Sequence, residues 1–131
     1  MRIFWSVAAG GALGCVSRYY LTAFIQQRAG ADFPAGTLII NITGSFLLGF
    51  IMRYALQSGA VSPETRMFLT SGFCGGYTTF STYSYETAMM LNDREYGRAA
   101  LYIGASVGLA LAGTFLGFAA ANRLVTLRQS V

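Results

Sequence analysis

The sequence predicts an all-α integral membrane protein, a single domain over residues 1–131 with four transmembrane helices, the third broken near the midplane, paired as an antiparallel, dual-topology homodimer. Three observations carry this. The chain is 54% hydrophobic and only 11% charged, where a soluble domain carries about a quarter charged residues. Four apolar stretches, roughly 3–25, 35–57, 65–91 and 97–122, reach the ~20 residues that a helix rising ~1.5 Å per residue needs to cross the hydrocarbon core. Within the third lies Gly72-Phe73-Cys74-Gly75-Gly76-Tyr77-Thr78-Thr79-Phe80-Ser81-Thr82-Tyr83-Ser84-Tyr85-Glu86. Paired glycines followed by two threonines make poor continuous helix, and lipid tolerates an interrupted backbone only where it is buried in protein or lines a wet cavity.

The first stretch follows a single Arg2 and shows no convincing cleavage site, so it reads as a retained helix. Gly10 and Gly14 have the small-xxx-small spacing of close helix contacts. Arg18 has two readings of equal weight: a side chain snorkelling to the interface beside Tyr19 and Tyr20, or a cation facing a vestibule. A short loop follows, and Pro34 fits the first turn of the second helix. Asn41, Thr43 and Ser45 then lie among apolar residues. The Asn41 amide must find a partner, either another helix or an anion in a pore.

Ser62-Pro63-Glu64 reads as a cap, a proline at the first helical position and a first-turn acid, a sharp start for the third helix. The expected break lies between Cys74 and Thr79, with half-helices on either side. Beyond it, Phe80 and Tyr83 share a face, and Thr79, Tyr83 and Glu86 follow the spacing of a polar stripe. Asn92 to Glu95 form the last loop. The fourth helix places Tyr102 and Ser106 on one face, and Gly104/Gly108 and Gly113/Gly117 are two further candidate packing pairs. Arg123 to Val131 reads as a short polar tail.

The formal charge is +4 and every basic residue is arginine. In a soluble chain this would suggest nucleic acid, but arginines near span ends are better explained as interfacial anchors, and no nucleic-acid partner is expected. Cys15 and Cys74 show neither metal-ligand nor disulfide spacing and read as small apolar fillers. The chain has no histidine. That removes the usual general base and zinc ligand, so no enzyme is expected. Four spans put Arg2, Arg53, Arg66, Arg123 and Arg128 on one side and Arg18, Arg28, Arg94 and Arg98 on the other. So small a bias does not fix one orientation, and two opposite copies would form an inverted pair with a shared midplane site.

Over nearly its whole length the chain resembles the Fluc (CrcB) fluoride channels of bacterial membranes. The residues that carry the resemblance are Gly36-Thr37-Leu38-Ile39-Ile40-Asn41, the run Gly72 to Tyr83 with its Gly-Gly-x-Thr-Thr-Phe-Ser-Thr signature, Glu86, and Gly104-Ala105-Ser106. The resemblance implies a multi-pass protein of the bacterial cell (inner) membrane that exports fluoride passively from the cytoplasm and so lowers its toxicity. It implies a dual-topology homodimer in lipid, with two fluoride pathways and a structural sodium ion at the dimer centre. By position, the sodium carbonyls are those of Gly75 and Thr78. The pore aromatics are Phe80 and Tyr83, the vestibule asparagine is Asn41, and the hydroxyl track is Ser81, Thr82, Ser106 and Tyr102, with Arg18, Thr37 and Glu86 as vestibule or support. Tyr83 departs from the family's usual phenylalanine. No organic cofactor is implied.

The chemistry is consistent, since a path for so strongly hydrated an anion must replace water with hydroxyls, an amide and aromatic ring edges. The alternative is a small dual-topology, proton-coupled multidrug exporter. The first span lacks the acid such a mechanism uses, and Glu86 is the only acid well inside a span. Phe80 and Asn41 are expected to matter more for throughput than for folding.

Overall fold

The computed structural model describes residues 1–129. Helix α1 (Arg2–Ala29) and helix α2 (Ala35–Ser58) are followed by an interrupted third segment. That segment runs as α3 (Pro63–Met67), a wider π-helical stretch (Phe68–Cys74), the single turn α4 (Gly75–Tyr77), and α5 (Phe80–Asn92). Helix α6 (Tyr96–Gln129) closes the chain. Arg123 and Arg128 therefore belong to a helix, not to a polar tail: nothing between Asn122 and Gln129 breaks it, since the stretch lacks glycine and proline.

Helices α2 and α6 are long and apolar enough to cross a membrane, with mean hydropathy 1.8 over their most apolar windows. Only 28% and 22% of those windows are buried within the chain, so the apolar surface faces outward, as in an all-helical membrane protein. Exposed Phe, Leu, Ile and Tyr side chains cover α1 and α6.

Local chemistry sets the helix ends. Ser62 caps α3, its hydroxyl accepting from the Thr65 N–H at 3.2 Å, with Pro63 first in the helix and Glu64 in its first turn. Gly59 ends α2 in the left-handed conformation at φ 60°. Pro34 lies one residue before α2 rather than in its first turn. The loop there is held by Gln26, whose Nε2 donates to the Phe33 carbonyl at 2.9 Å while its Oε1 accepts from the Gly36 N–H at 3.1 Å.

Glycines bring the helices together in two parallel pairs. Gly10 and Gly14 of α1 lie against the backbone of Phe68 to Tyr77, and a Cβ on Gly76 would come within 2.5 Å of the Gly11 carbonyl oxygen. Gly49 of α2 meets Thr114 of α6, and Gly113 and Gly117 meet the Ile42 and Phe46 carbonyls. Gly104 and Gly108, read as a packing pair, have nothing within 4 Å. They lie on an open face of α6.

The break lies one turn later than the glycine pair. Gly75 retains helical angles (φ −64°, ψ −38°), and the chain becomes extended at Thr78 (φ −89°, ψ 160°) and Thr79 (φ −150°, ψ 119°). Glycine weakens a helix by only about 1 kcal/mol, and here the close approach to α1 offsets that cost. The helix breaks here because the Thr78 carbonyl and the Thr79 peptide groups find partners on other helices.

Candidate functional site

The Thr79 N–H, which in a continuous helix would donate to the Gly75 carbonyl, donates instead to Asn41 Oδ1 at 2.8 Å. Asn41 Nδ2 donates back to the Thr79 carbonyl at 3.0 Å. The amide thus grips one residue of extended backbone from both sides, as a neighbouring strand would. Thr79 in turn caps α5: its Oγ1 accepts from the Thr82 N–H at 3.2 Å and lies 3.0 Å from Thr82 Oγ1 and 3.2 Å from Ser81 Oγ. Sequence reasoning placed Thr79 in a helical stripe and missed this role. The signal was present as a threonine directly ahead of an aromatic helical run.

On the other side of the break, the Thr78 N–H and its Oγ1 both donate to the Cys74 carbonyl, at 3.0 and 2.9 Å. The Thr78 carbonyl accepts from Arg18 Nη1 at 3.3 Å. Arg18, left open between snorkelling and a vestibule, reaches inward to the break, and its Nη2 also contacts Cys15 Sγ at 3.7 Å. Two helix ends therefore meet here with opposite polarity. The end of α4 presents carbonyls, and the start of α5 presents N–H groups and the positive pole of the helix dipole.

The break opens on a cleft of about 960 Å³ between α2, the interrupted segment and α6. Of the residues singled out from sequence, Asn41, Gly75, Thr78, Phe80, Tyr83 and Ser106 line it. Phe80 is 78% exposed, a large ring held out from the protein at the rim. Ser106 is only 8% exposed, and its Oγ has no hydrogen-bond partner within the described chain. A buried hydroxyl left unpaired is costly, and this one borders a cavity that can hold a partner. Ser81 and Thr82 are exposed and lie outside the cleft lining, on the first turn of α5.

The remaining residues form a separate polar centre one to two turns along α5. Glu86 Oε1 accepts from Thr37 Oγ1 at 2.8 Å, and Oε2 accepts from the Tyr102 hydroxyl at 2.6 Å. Thr37 and Tyr102 are both fully buried. An aromatic chain joins the two centres. Phe80 and Tyr83 have ring centroids 5.5 Å apart, Tyr83 and Tyr102 5.2 Å, and Tyr102 meets Phe33 edge-to-face at 5.4 Å.

Asn41 departs from the expectation that it matters less for folding. Both heteroatoms of its amide bond to Thr79, so the residue is part of the scaffold that holds the break. Phe80 has no such structural burden, being mostly exposed.

Fold and cleft define the class: a small all-helical membrane protein whose interrupted helix opens on a cleft lined by hydroxyls, an amide and aromatic edges. Residues 5–118 match the family described as "CrcB-like protein, Camphor Resistance (CrcB)", and the chain belongs to that family. It is 48% identical over 124 residues to the fluoride-specific ion channel FluC of Geobacter sulfurreducens, covering 95% of this chain and 100% of that one. It is 50% identical over 112 residues to the protein of that name from Geotalea daltonii, covering 86% and 90% of the two chains. With a Thermus thermophilus protein, also so named, identity is 49% over 119 residues, or 91% and 93% of the chains.

Proposed function

We propose that this protein is a fluoride-selective channel, not an enzyme, that lets fluoride leave the cytoplasm passively and so lowers its toxicity. The observation that carries the reading is the break itself. It turns the N-terminal end of α5, with its cap Thr79, towards a cleft lined by Asn41, Phe80, Tyr83 and the unpaired Ser106 hydroxyl. An anion shedding its water needs such donors. Kinship with relatives named fluoride-specific ion channels supplies the ion.

In this reading all four helical segments cross the bacterial inner membrane, and two copies in opposite orientation form the conducting unit. Phe80 supports the dimer because it is a large ring left 78% exposed at the rim of the cleft. Ser81 and Thr82 at the head of α5, with Ser106, supply hydroxyls to the path, and Tyr102 with Thr37 holds Glu86 below it.

A structural sodium ion suits the Gly75 and Thr78 carbonyls. Gly75 has lost its helical donor to Asn41, and Thr78 retains a second lone pair beside the Arg18 contact. A hard cation prefers about six oxygen ligands, so two carbonyls make an incomplete shell and an inverted copy would double it. A proton-coupled exporter fits less well, since both oxygens of Glu86 already accept from hydroxyls.

The test is fluoride efflux from liposomes holding the purified protein, against chloride, for wild type and Phe80→Ile. Rapid fluoride loss without chloride loss is expected. A ring-edge contact of about 1 kcal/mol at the barrier makes the variant roughly five-fold slower. Equal permeation of both anions, or none, would overturn the reading.

A further inference from the structure

Acids and arginines are divided unequally between the two ends of the bundle. The starts of α1 and α3 and the ends of α2 and α6 carry Arg2, Arg53, Arg66, Arg123 and Arg128 against a single acid, Glu64. The other half sets Arg18, Arg28, Arg94 and Arg98 against Asp32, Glu86, Asp93 and Glu95. The whole formal charge of +4 thus lies at one end. The orientation signal is unaffected, because acids contribute little to it.

Two of these arginines are fixed by neutral groups. Arg53 Nε donates to Asn122 Oδ1 at 2.9 Å, and Gln57 Nε2 donates to the same oxygen at 2.9 Å. Arg128 donates to the hydroxyl of Tyr54, the residue next to Arg53. Both guanidiniums are exposed, and the one ion pair among the described residues is Arg98–Glu95, at the opposite end. An arginine that merely snorkels needs no such bracing. These two are oriented and, among the described residues, left without a counter-charge.

Beneath them runs an apolar column. Tyr54 stacks on Phe50 with centroids 6.0 Å apart and Phe50 on Phe46 at 6.5 Å, the planes within 15° of parallel. The three rings span eight residues of α2, about 12 Å of helix, running from the basic end towards the midplane. Oriented guanidiniums above a ring-lined strip match the two parts of one phospholipid molecule.

We propose that this is a binding site for an anionic phospholipid. The phosphate diester, whose charge no headgroup ammonium offsets, is held by Arg53 and Arg128, and an acyl chain lies along Phe46, Phe50 and Tyr54. Guanidinium suits phosphate because its planar N–H fork bonds two oxygens together. A free inorganic anion would use the arginines and gain nothing from the rings, which favours lipid. The proposal needs only membrane embedding and is independent of the ion conducted.

The experiment is native mass spectrometry of the full chain in detergent, titrated with dioleoylphosphatidylglycerol or dioleoylphosphatidylcholine. Wild type is expected to retain phosphatidylglycerol preferentially. Each arginine near a headgroup contributes about a five-fold gain, so Arg53→Gln with Arg128→Gln should weaken phosphatidylglycerol binding about 25-fold, with little change for phosphatidylcholine. Arg28→Gln, at the other end, should leave the preference intact. Unchanged helicity would show that the double variant is folded, and the wild-type comparison of the two lipids needs no variant. Equal retention of both lipids, an unchanged double variant, or displacement of the lipid by inorganic phosphate would each overturn the proposal, the last by assigning a site for free anions.

Discussion

Replacing Asn41 by aspartate separates what the break does for the fold from what it does for an ion. The substitution is nearly isosteric and retains the oxygen that accepts from the Thr79 N–H at 2.8 Å. It removes the N–H that donates to the Thr79 carbonyl at 3.0 Å and sets a carboxylate oxygen against that carbonyl. Losing one such bond costs about 0.5–1.5 kcal/mol, and an acceptor left unsatisfied in a buried setting costs about 1–3 kcal/mol. Thr79 is buried and Asn41 half-buried, so a total of roughly 1.5–4.5 kcal/mol is expected, before any repulsion of a passing anion. Asn41→Ala loses both bonds and should cost about as much or more. The assay pairs the thermal unfolding midpoint in detergent with fluoride efflux. Both variants should unfold at clearly lower temperature, and Phe80→Ile should unfold at nearly the wild-type temperature while slowing efflux. An Asn41→Asp protein as stable as wild type, but without flux, would refute the structural role and restore the pore role as the sole one.

The glycine contacts predict opposite outcomes for the same change. Gly76→Ala should destabilise by about 1–3 kcal/mol, because its Cβ meets the Gly11 carbonyl at 2.5 Å and backbone cannot easily give way. Gly104→Ala, open on all sides, should be neutral or stabilise by about 0.5–1 kcal/mol through helix propensity; unfolding midpoints measured side by side decide both. Tyr102→Phe removes the 2.6 Å donor to Glu86 and leaves a half-buried carboxylate with one hydroxyl. It should cost about 1.5–3 kcal/mol, and an unchanged midpoint would mean that water replaces the phenol. Exchange of sodium for a bulky organic cation should lower dimer content or fluoride flux if the Gly75 and Thr78 carbonyls hold the ion; no change in either would remove sodium from the account.

Hydropathy marked α2 to within a residue at each end and the start of α6, but not the end of α6, which runs seven residues past the expected 122 because nothing in the polar stretch breaks it. Ser62-Pro63-Glu64 marked a start that the structure reproduces. The exact place of the break was not legible. Gly75 and Gly76 invite one, yet Gly76 serves contact with α1, and that contact depends on residues far away in sequence, near Gly11 and Gly14. The Glu86 centre was hidden for the same reason. Its donors Thr37 and Tyr102 come from other helices, and no local period links them. Asn41 was legible as a residue in need of a partner, though sequence could not tell a backbone partner from an ion.

The backbone bond that Asn41 diverts explains why both polarities meet at one point. When the Thr79 N–H turns to Asn41, the Gly75 carbonyl is released at the end of one helix, and Thr79 is freed to become the cap of the next. A carbonyl end suited to a cation and an N–H end suited to an anion are thus produced by one side chain. Glycine alone could not do this, because a merely flexible helix still closes its own hydrogen bonds. A side-chain amide that supplies both a donor and an acceptor can hold the backbone open in an apolar setting. That accounts for an asparagine two turns into α2, opposite paired threonines, in a chain whose other polar side chains within the apolar segments are mostly hydroxyls.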